Sequence, residues 1–209
     1  MGYYPICLDM RGKRCLVIGG GPVAERKVEG LLGAEAIVTV ISPSITERLR
    51  RWRAEGKLRH VERLCQSGDL EGYDLVFVAT DDKEISAMVA KKGHERRVWV
   101  NAADDPAHCD FILPAVLRRG QLLVAITTGS LSPALSRAIR EELEAYFTED
   151  YGTLAEIVGE VRRELTGRST SPDAEAWRRA LNGDLRRLIQ EGKQQEARAY
   201  LLKQLGVEI

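Results

Sequence analysis

The sequence contains little from which a metal module or a disulfide framework could be built. It has three histidines and four cysteines, and no two cysteines are spaced CxxC. The spacing fits no zinc module and favours reduced thiols in a cytosolic protein. The one local group of potential ligands is His108-Cys109-Asp110, and adjacent residues rarely point to a common centre. We therefore expect no metal site and a cytoplasmic location.

The sequence also has no excess of basic or acidic residues and no long apolar run. Lys and Arg number 31, Asp and Glu also number 31, and the balance holds separately for residues 1–113 and 114–209. A nucleic-acid partner is therefore not expected, because such proteins carry a basic surface. No apolar run approaches the ~18 residues of a membrane span, and the first residues contain no apolar signal core. We expect neither a membrane partner nor export.

The first half of the chain alternates apolar strands with helices. The strands contain few polar residues, which is typical of strands buried on both faces, and this order of elements predicts a parallel sheet. The predicted strands are 14–18, 36–41, 75–79, 98–100 and a short edge strand at 58–62. The predicted helices are 23–32, 45–55 and 85–94.

The second half contains one predicted strand, at 121–127, and then only helices. Ser132 is a plausible N-cap, and Pro133 occupies the favoured first helical position. A single apolar stripe follows, made of Ile139, Leu143, Tyr146 and Phe147. A later helix is predicted to start in the same way at Ser171-Pro172. The segment 109–114 looks like a further strand.

A glycine-rich loop is the first feature that points to chemistry. Gly19-Gly20-Gly21-Pro22-Val23-Ala24 matches GxGxxA between a strand and a helix, the context that a dinucleotide-binding loop requires. Gly19 permits the tight turn, and Gly21 leaves room for a pyrophosphate. Pro22 and Val23 begin a helix whose amide groups and dipole favour phosphate. We predict a Rossmann-type site that holds NAD.

The ribose position departs from the usual pattern. An Asp or Glu normally ends the second strand and binds the ribose hydroxyls. Here that strand ends in Ser42-Pro43-Ser44, so hydroxyl or backbone groups would replace the carboxylate. No arginine follows immediately to bind a 2′-phosphate, which favours NAD over NADP and leaves NADP open.

Two later segments allow both a chemical and a structural interpretation. Asn101-Ala102-Ala103-Asp104-Asp105-Pro106 follows a strand, and a carboxylate there could act as a general base or simply form an Asp-Pro turn. The hydroxyl-rich 127–133 loop could bind an anion or only cap a helix. Arg118, Arg119, Arg137 and Arg140 flank that loop, either as solvated surface or as ligands for a polycarboxylate.

The order of these motifs resembles the precorrin-2 dehydrogenase family, the dehydrogenase and sometimes ferrochelatase module of siroheme synthase. The resemblance covers about residues 1–150 and rests on several segments together. They are 15–27, with the glycine loop and Val23-Ala24-Glu25-Arg26-Lys27, then Ala79-Thr80-Asp81-Asp82, 101–104, 111–114 and 132–135. One departure is Thr127-Thr128-Gly129-Ser130, where the family more often has Ser-Ser/Thr-Gly-Gly.

The resemblance implies a fold, a domain order and a dimer. The expected fold class is α/β, with an N-terminal Rossmann-type parallel sheet, a strand-helix dimerisation region and a small C-terminal helical domain. The domains would span 1–113, 114–150 and 151–209. The family also implies a homodimer, and the sequence looks like its short stand-alone form because no methyltransferase domain follows.

The resemblance also implies an activity and its residues. It implies NAD-dependent oxidation of precorrin-2 to sirohydrochlorin, and in bifunctional members insertion of ferrous iron to give siroheme. It selects Asp104 as the catalytic residue, adds Thr80 and Asp82 to the cofactor site, and places Thr128 on a serine that is phosphorylated in some members. Thr128, Arg118 and Arg137 are the expected substrate contacts.

Three other interpretations are open. A sensor module that binds NAD without turnover would explain the glycine loop, but not the co-occurrence of Asp104, the 111–114 segment and the 127–133 loop. A dehydrogenase of another small substrate and a structural assembly protein are the remaining alternatives. Production of NADH distinguishes an enzyme from a sensor.

Overall fold

The computed structural model describes residues 2–103, 105, 108–166 and 172–207. The chain divides into two compact units, Met1–Leu113 and Pro114–Ile209. Asp104, the predicted catalytic residue, and Ser171, a predicted N-cap, lie outside the described residues.

The first unit is a doubly wound α/β structure. Its order is β1 (Arg14–Ile18), α1 (Pro22–Leu32), β2 (Ile37–Ile41), α2 (Glu47–Ala54), β3 (Leu58–Val61), β4 (Leu75–Val78), α3 (Lys83–Arg96) and β5 (Trp99–Ala102). All strands pair in parallel in the order β3-β2-β1-β4-β5. The α/β class and the parallel sheet are confirmed, and β3 is an edge strand as predicted.

Both faces of this sheet are covered, which explains why the strands are continuously apolar. Cys15 and Val17 of β1 pack with Ala24 and Val28 of α1 in one buried cluster. Leu16 and Ile18 point to the opposite face and belong to a second cluster, which includes residues of β4 and β5 and Val89 of α3. The chain order reverses between β1 and β4, and ligands of open α/β sheets bind at such a switch point, beyond the carboxyl ends of the strands.

The segment 109–114 is not a strand, contrary to the sequence prediction. One backbone bond joins it to β5, from the Asp110 amide to the Val100 carbonyl at 2.8 Å. The other links use side chains: the Asp110 carboxylate accepts from the Val100 amide at 2.8 Å. Pro114 has no amide hydrogen to continue a ladder. Side chains thus take the place of the regular ladder that the apolar pattern predicted.

The second unit begins with an antiparallel pair, β6 (Ala115–Arg119) and β7 (Leu122–Ile126). We did not predict β6. The strands are joined by a two-residue turn at Gly120-Gln121, where Gly120 has φ +51°, so the local signal was a glycine hairpin between two strand-forming runs. The helices α4 (Pro133–Tyr146), α5 (Asp150–Thr166), α6 (Ala174–Ala180), α7 (Gly183–Gln190) and α8 (Gln194–Gln204) follow.

Helix starts in this unit agree only partly with the prediction. Ser132 caps α4 by accepting from the Leu135 amide at 3.1 Å, with Pro133 first in the helix. Helix α6 instead begins after Asp173, whose carboxylate accepts from the Ala176 amide at 2.7 Å. Pro172 therefore precedes the cap, and the predicted start at Ser171-Pro172 is wrong. An aspartate in cap geometry satisfies the free amides of the first turn, so the helix begins there.

The helices α5 to α8 share one apolar core. Its fully buried members include Val161, Leu185 and Leu201, which lie on α5, α7 and α8. Among the described residues, no helix combines the length and the apolar character needed to cross a membrane.

Candidate dinucleotide-binding site

The glycine loop after β1 is held against the sheet so closely that two of its positions admit no side chain. Gly19 has φ +113°, and a Cβ there would lie 2.1 Å from the Ala79 carbonyl oxygen. A Cβ on Gly20 would lie 1.9 Å from the Ser44 carbonyl oxygen. The loop is also bonded to its neighbours, with the Gly19 amide donating to Ile41 and the Thr46 amide to Gly20. These two glycines therefore fix the path of the loop.

Gly21 has a different environment. No heavy atom lies within 4 Å of the position that its Cβ would occupy, although its φ is an ordinary −85°. It is the N-cap of α1, and Pro22 is the first helical residue. Pro22 has no amide hydrogen, and the Glu25 amide bonds to Gly21, so the Val23 and Ala24 amides are the free donors of the first turn. This open helix start suits a pyrophosphate.

The end of β2 lies beside the glycine loop, as a ribose site would require. The Ser42 hydroxyl points to the position that a Gly20 Cβ would take, at 2.9 Å from it. Ser42 is buried, whereas Pro43 and Ser44 are exposed. The Ser42 carbonyl is bonded to the His60 ring at 2.9 Å. Hydroxyl and backbone groups thus occupy the position where a carboxylate is usual.

The end of β4 also lies at the loop, since Ala79 contacts Gly19. The Thr80 hydroxyl accepts from the Asp82 amide at 3.3 Å. The Asp82 carboxylate caps α3, accepting from the Glu84 and Ile85 amides at 2.9 and 3.1 Å. Asp82 therefore has a structural role that accounts for its presence, and a cofactor contact from Thr80 or Asp82 stays a prediction.

The end of β5 carries a buried asparagine in a polar network. Asn101 donates from Nδ2 to the Phe111 carbonyl at 2.9 Å and accepts at Oδ1 from the Lys27 ammonium at 3.2 Å. Phe111 in turn contacts Phe77 edge to face at 5.5 Å. Sequence reasoning singled out Asn101 and Lys27 in separate motifs, and no sequence signal linked them across 74 positions.

Asp105, which follows Asp104 in the sequence, contacts a nearby histidine through its carboxylate. Asp105 Oδ2 lies 2.6 Å from His108 Nδ1. The Cys109 thiol is bonded to the Ala102 carbonyl at 3.2 Å and to that of Asp105 at 3.3 Å. Burial raises the pKa of this thiol. The described part of the chain contains no group of three His, Cys, Asp or Glu that could hold a metal ion, and the four cysteines are free.

The hydroxyl-rich loop of the second unit uses its hydroxyls internally. Thr128 Oγ1 accepts from the Ser132 amide at 2.9 Å and donates to the Ser132 carbonyl at 3.0 Å. Between them, Gly129 and Ser130 are both left-handed, with φ of 63° and 69°. Arg118 on β6 and Arg137 on α4 are exposed, which leaves their guanidinium groups accessible to an anion.

Comparison with known sequences gives two family matches. A family described as "Putative NAD(P)-binding" matches residues 6–115, and one described as "Sirohaem synthase dimerisation region" matches residues 150–205. Siroheme synthases of Thioalkalivibrio sulfidiphilus and Photorhabdus laumondii are 36% and 37% identical over 98% of this chain. The chain belongs to the precorrin-2 dehydrogenase family. It spans less than half the length of these relatives, 42% and 44%.

A solved structure supports the family assignment over nearly the whole chain. The precorrin-2 dehydrogenase SirC is 28% identical, with a TM-score of 0.78, and the match covers 96% of this chain and 100% of SirC. The dimerisation match lies at 150–205, whereas we predicted dimerisation by 114–150 and a helical domain at 151–209. The internal division of the second unit into these parts stays a prediction.

Proposed function

We propose that this chain oxidises precorrin-2 to sirohydrochlorin with NAD as hydride acceptor. The observation that carries the proposal is the match to a precorrin-2 dehydrogenase over 96% of this chain and 100% of the matched chain, together with a glycine loop whose open position is Gly21. Siroheme synthases are larger proteins than this chain, and the proposal concerns the activity of the part that they share with it.

The residues of the first unit fit NAD. When bound, NAD supplies the hydride acceptor. Gly19 fixes the path of the loop, Gly21 leaves space for the pyrophosphate, and Pro22 and Val23 present the helix start. The adenine ribose would be contacted by the end of β2, through Ser42, Pro43 and Ser44. The cofactor would also be contacted from the end of β4, by Thr80 and Asp82. The absence of a cation within Ser42-Pro43-Ser44 favours NAD over NADP, because a 2′-phosphate is usually bound by an arginine there.

The proton and the substrate need further groups. Oxidation removes a hydride and a proton from the tetrapyrrole, and we assign Asp104 as the proton acceptor. Precorrin-2 carries eight carboxylates, so the exposed Arg118 and Arg137 would bind them as charge-assisted partners. Thr128 is the remaining proposed substrate contact. Because its hydroxyl is bonded to the Ser132 backbone, we propose that the backbone of this turn, rather than the hydroxyl, contacts the substrate.

Within this proposal, ferrous iron would be a second substrate. Insertion into sirohydrochlorin requires a base for the pyrrole protons and no permanent protein cage, so the same carboxylate would serve both reactions. We further propose a cytoplasmic homodimer. Helix α4 supports the dimer, because Leu135 and Tyr146 are 51% and 59% exposed on a helix whose buried residue is Ser136.

The test is turnover followed by optical spectra. The chain is incubated with precorrin-2 and NAD, with and without ferrous iron. We expect equimolar NADH and sirohydrochlorin, and a siroheme spectrum in the iron-containing sample if iron is a substrate. Binding of NAD without NADH formation would contradict the proposal and support the alternative, a sensor module.

A further inference from the structure

A lysine of the glycine-loop helix reaches the segment that carries the proposed proton acceptor. Lys27 lies on α1, two turns after the open helix start at Gly21. Helical side chains lean toward the N-terminus of their helix, and the Lys27 ammonium lies 3.2 Å from Asn101 Oδ1. Asn101 stands at the carboxyl end of β5, three positions before Asp104. One side chain thus links the cofactor helix to that segment.

The chemistry of the partners fixes the orientation of the Asn101 amide. A lysine ammonium can only donate, and a backbone carbonyl can only accept. With Lys27 at Oδ1 and the Phe111 carbonyl 2.9 Å from Nδ2, the oxygen and nitrogen cannot be exchanged. Asn101 is 6% exposed, so loss of either partner would leave a buried polar atom without a hydrogen bond, which is unfavourable.

The same network includes a contact between Ala102 and Cys109. The Ala102 amide donates to Cys109 Sγ at 3.2 Å, and that thiol donates back to the Ala102 carbonyl. Asn101 binds Phe111, and Phe111 packs on Phe77, whose ring also lies 5.8 Å from the Lys27 ammonium. Lys27 therefore contacts Asn101 and Phe77, the two side chains that hold Phe111.

The charge of Lys27 also acts on the Cys109 thiol. Burial raises the pKa of the Cys109 thiol, while the positive charge of Lys27 acts on it in the opposite direction. The ammonium therefore does more than fill space beside Phe77. A neutral side chain of the same length would keep the packing and remove both the hydrogen bond and the field.

We propose that Lys27 is a positioning residue, which holds the Asn101 amide at the carboxyl end of β5 in the orientation that turnover requires. The inference rests on the proposed function. It assigns a task to Lys27, which phosphate binding leaves unexplained. Misplacement of a reacting group by about 1 Å can cost about 100-fold in rate, so a contact of this kind is sufficient to control turnover.

The principal test replaces Lys27 by methionine. Lys27→Met should fold, bind NAD within about threefold of the wild type, and lose about 10–100-fold in kcat. Arg26→Met is the matched control, because it removes a charge from the neighbouring exposed position of the same helix and should leave kcat unchanged. Lys27→Arg keeps the charge and the donors and should recover part of the loss. If Lys27→Met fails to fold, Lys27→Gln, which keeps a donor without the charge, takes its place.

A double-mutant cycle shows whether Lys27 acts through Asn101. If it does, Lys27→Met combined with Asn101→Ala should lose no more activity than the more severe single variant. Unchanged kcat in Lys27→Met, an equal loss of NAD affinity and kcat, or full additivity with Asn101→Ala would each overturn the inference.

Hydrogen exchange provides a readout that does not need turnover. In Lys27→Met, peptides covering 99–103 and 108–113 should exchange faster than in the wild type, with β1 and β2 unchanged. Equal exchange in both proteins would overturn the inference. Failure of the wild type to form NADH would instead contradict the proposed function, and this is seen before any variant is made.

Discussion

A Cβ on Gly20 would lie 1.9 Å from the carbonyl oxygen of Ser44, whereas a Cβ on Gly21, one residue later, would meet no heavy atom within 4 Å. Adjacent glycines thus have different reasons for lacking a side chain. The space at Gly20 is taken by the protein itself. The space at Gly21 is open, and we assign it to the cofactor pyrophosphate.

This contrast predicts opposite effects of substitution. Gly21→Asp should fold normally and lose NAD binding, because its carboxylate would enter the pyrophosphate site. Gly20→Ala should lose about 3 kcal/mol of unfolding free energy, because the Ser44 backbone cannot move away cheaply. Urea denaturation and NAD titration by fluorescence measure the two effects. A folded Gly21→Asp variant with normal NAD affinity would disprove the assignment of the loop.

The two aspartates after β5 should differ in function. Asp104→Ala should fold, bind NAD and lose about 10²–10⁴-fold in dehydrogenase rate, the usual contribution of a general base. Asp105→Ala should keep most turnover and lose up to about 1 kcal/mol of stability, because Asp105 pairs at 2.6 Å with His108, and both side chains are partly exposed. Steady-state kinetics of both variants is the measurement. An inactive Asp105→Ala or a fully active Asp104→Ala would reverse the assignment.

Ser130 offers a stabilising substitution. Its φ is 69°, in the left-handed region where a side chain costs about 1–2 kcal/mol. Ser130→Gly should raise the unfolding free energy by about 0.5–1 kcal/mol. This gain is smaller than the strain that is relieved, because glycine also adds entropy to the unfolded chain. Gly129→Ser is the matched control in the same turn, at φ 63°, and should be destabilising. Thermal unfolding compares them, and a lower Tm for Ser130→Gly would contradict the strain.

The Arg63–Asp69 pair should make stability depend on acid pH. Asp69 accepts from both Nη atoms of Arg63 at 2.6 Å and from the Gln66 amide at 2.7 Å. The hydrogen bonds from Arg63 lower the pKa of Asp69 in the folded state. A lowered pKa stabilises the fold above the ordinary aspartate pKa of about 3.9, and the contribution disappears as the pH falls through the folded-state value.

Asp69→Asn should therefore cost about 1–3 kcal/mol at pH 7, and progressively less as the pH falls below about 4. Glu71→Gln is the control, because it removes a charge from the same loop at a side chain that is 85% exposed. Urea denaturation across this pH range tests both variants. A difference between wild type and Asp69→Asn that stays constant from pH 7 to pH 3 would exclude the ionic contribution.

The apolar side of α4 predicts a homodimer. Ile139, Leu143 and Phe147 are only half-buried within the chain, and Tyr146 is exposed, although they form one stripe. Light scattering should give twice the chain mass at micromolar concentration. Leu143→Glu should weaken the dimer, and Arg137→Glu, at an exposed position of the same helix, should leave its mass unchanged. A monomeric wild type would contradict the prediction.

Much of the first unit was predictable because its information is local. An apolar run, a tight glycine turn and Pro22 at a helix start are adjacent in the chain, and each element obeys its own periodicity. The glycine loop and the ends of β2 and β5 therefore followed from residue order. The strands buried on both faces also predicted a parallel sheet.

Where the prediction failed, the structure was determined by contacts that the local sequence pattern does not encode. The apolar run at 109–114 stays irregular, because Asp110 and Asn101 bond it to β5 through their side chains. Strand β6 contains two arginines and became a strand because Gly120 folds it onto β7. Asp173 displaced the predicted cap because it accepts the free amide of Ala176.

The sequence by itself determined the class of cofactor site, since a strand, a glycine turn and a helix are encoded within the 19 residues from Arg14 to Leu32. Only the tertiary structure decided what surrounds that site. It brought Ser44 against Gly20, and it placed the Lys27 ammonium on Asn101, 74 positions away. Such contacts depend on strand order and on how a helix lies across a sheet, and no spacing along the chain records either.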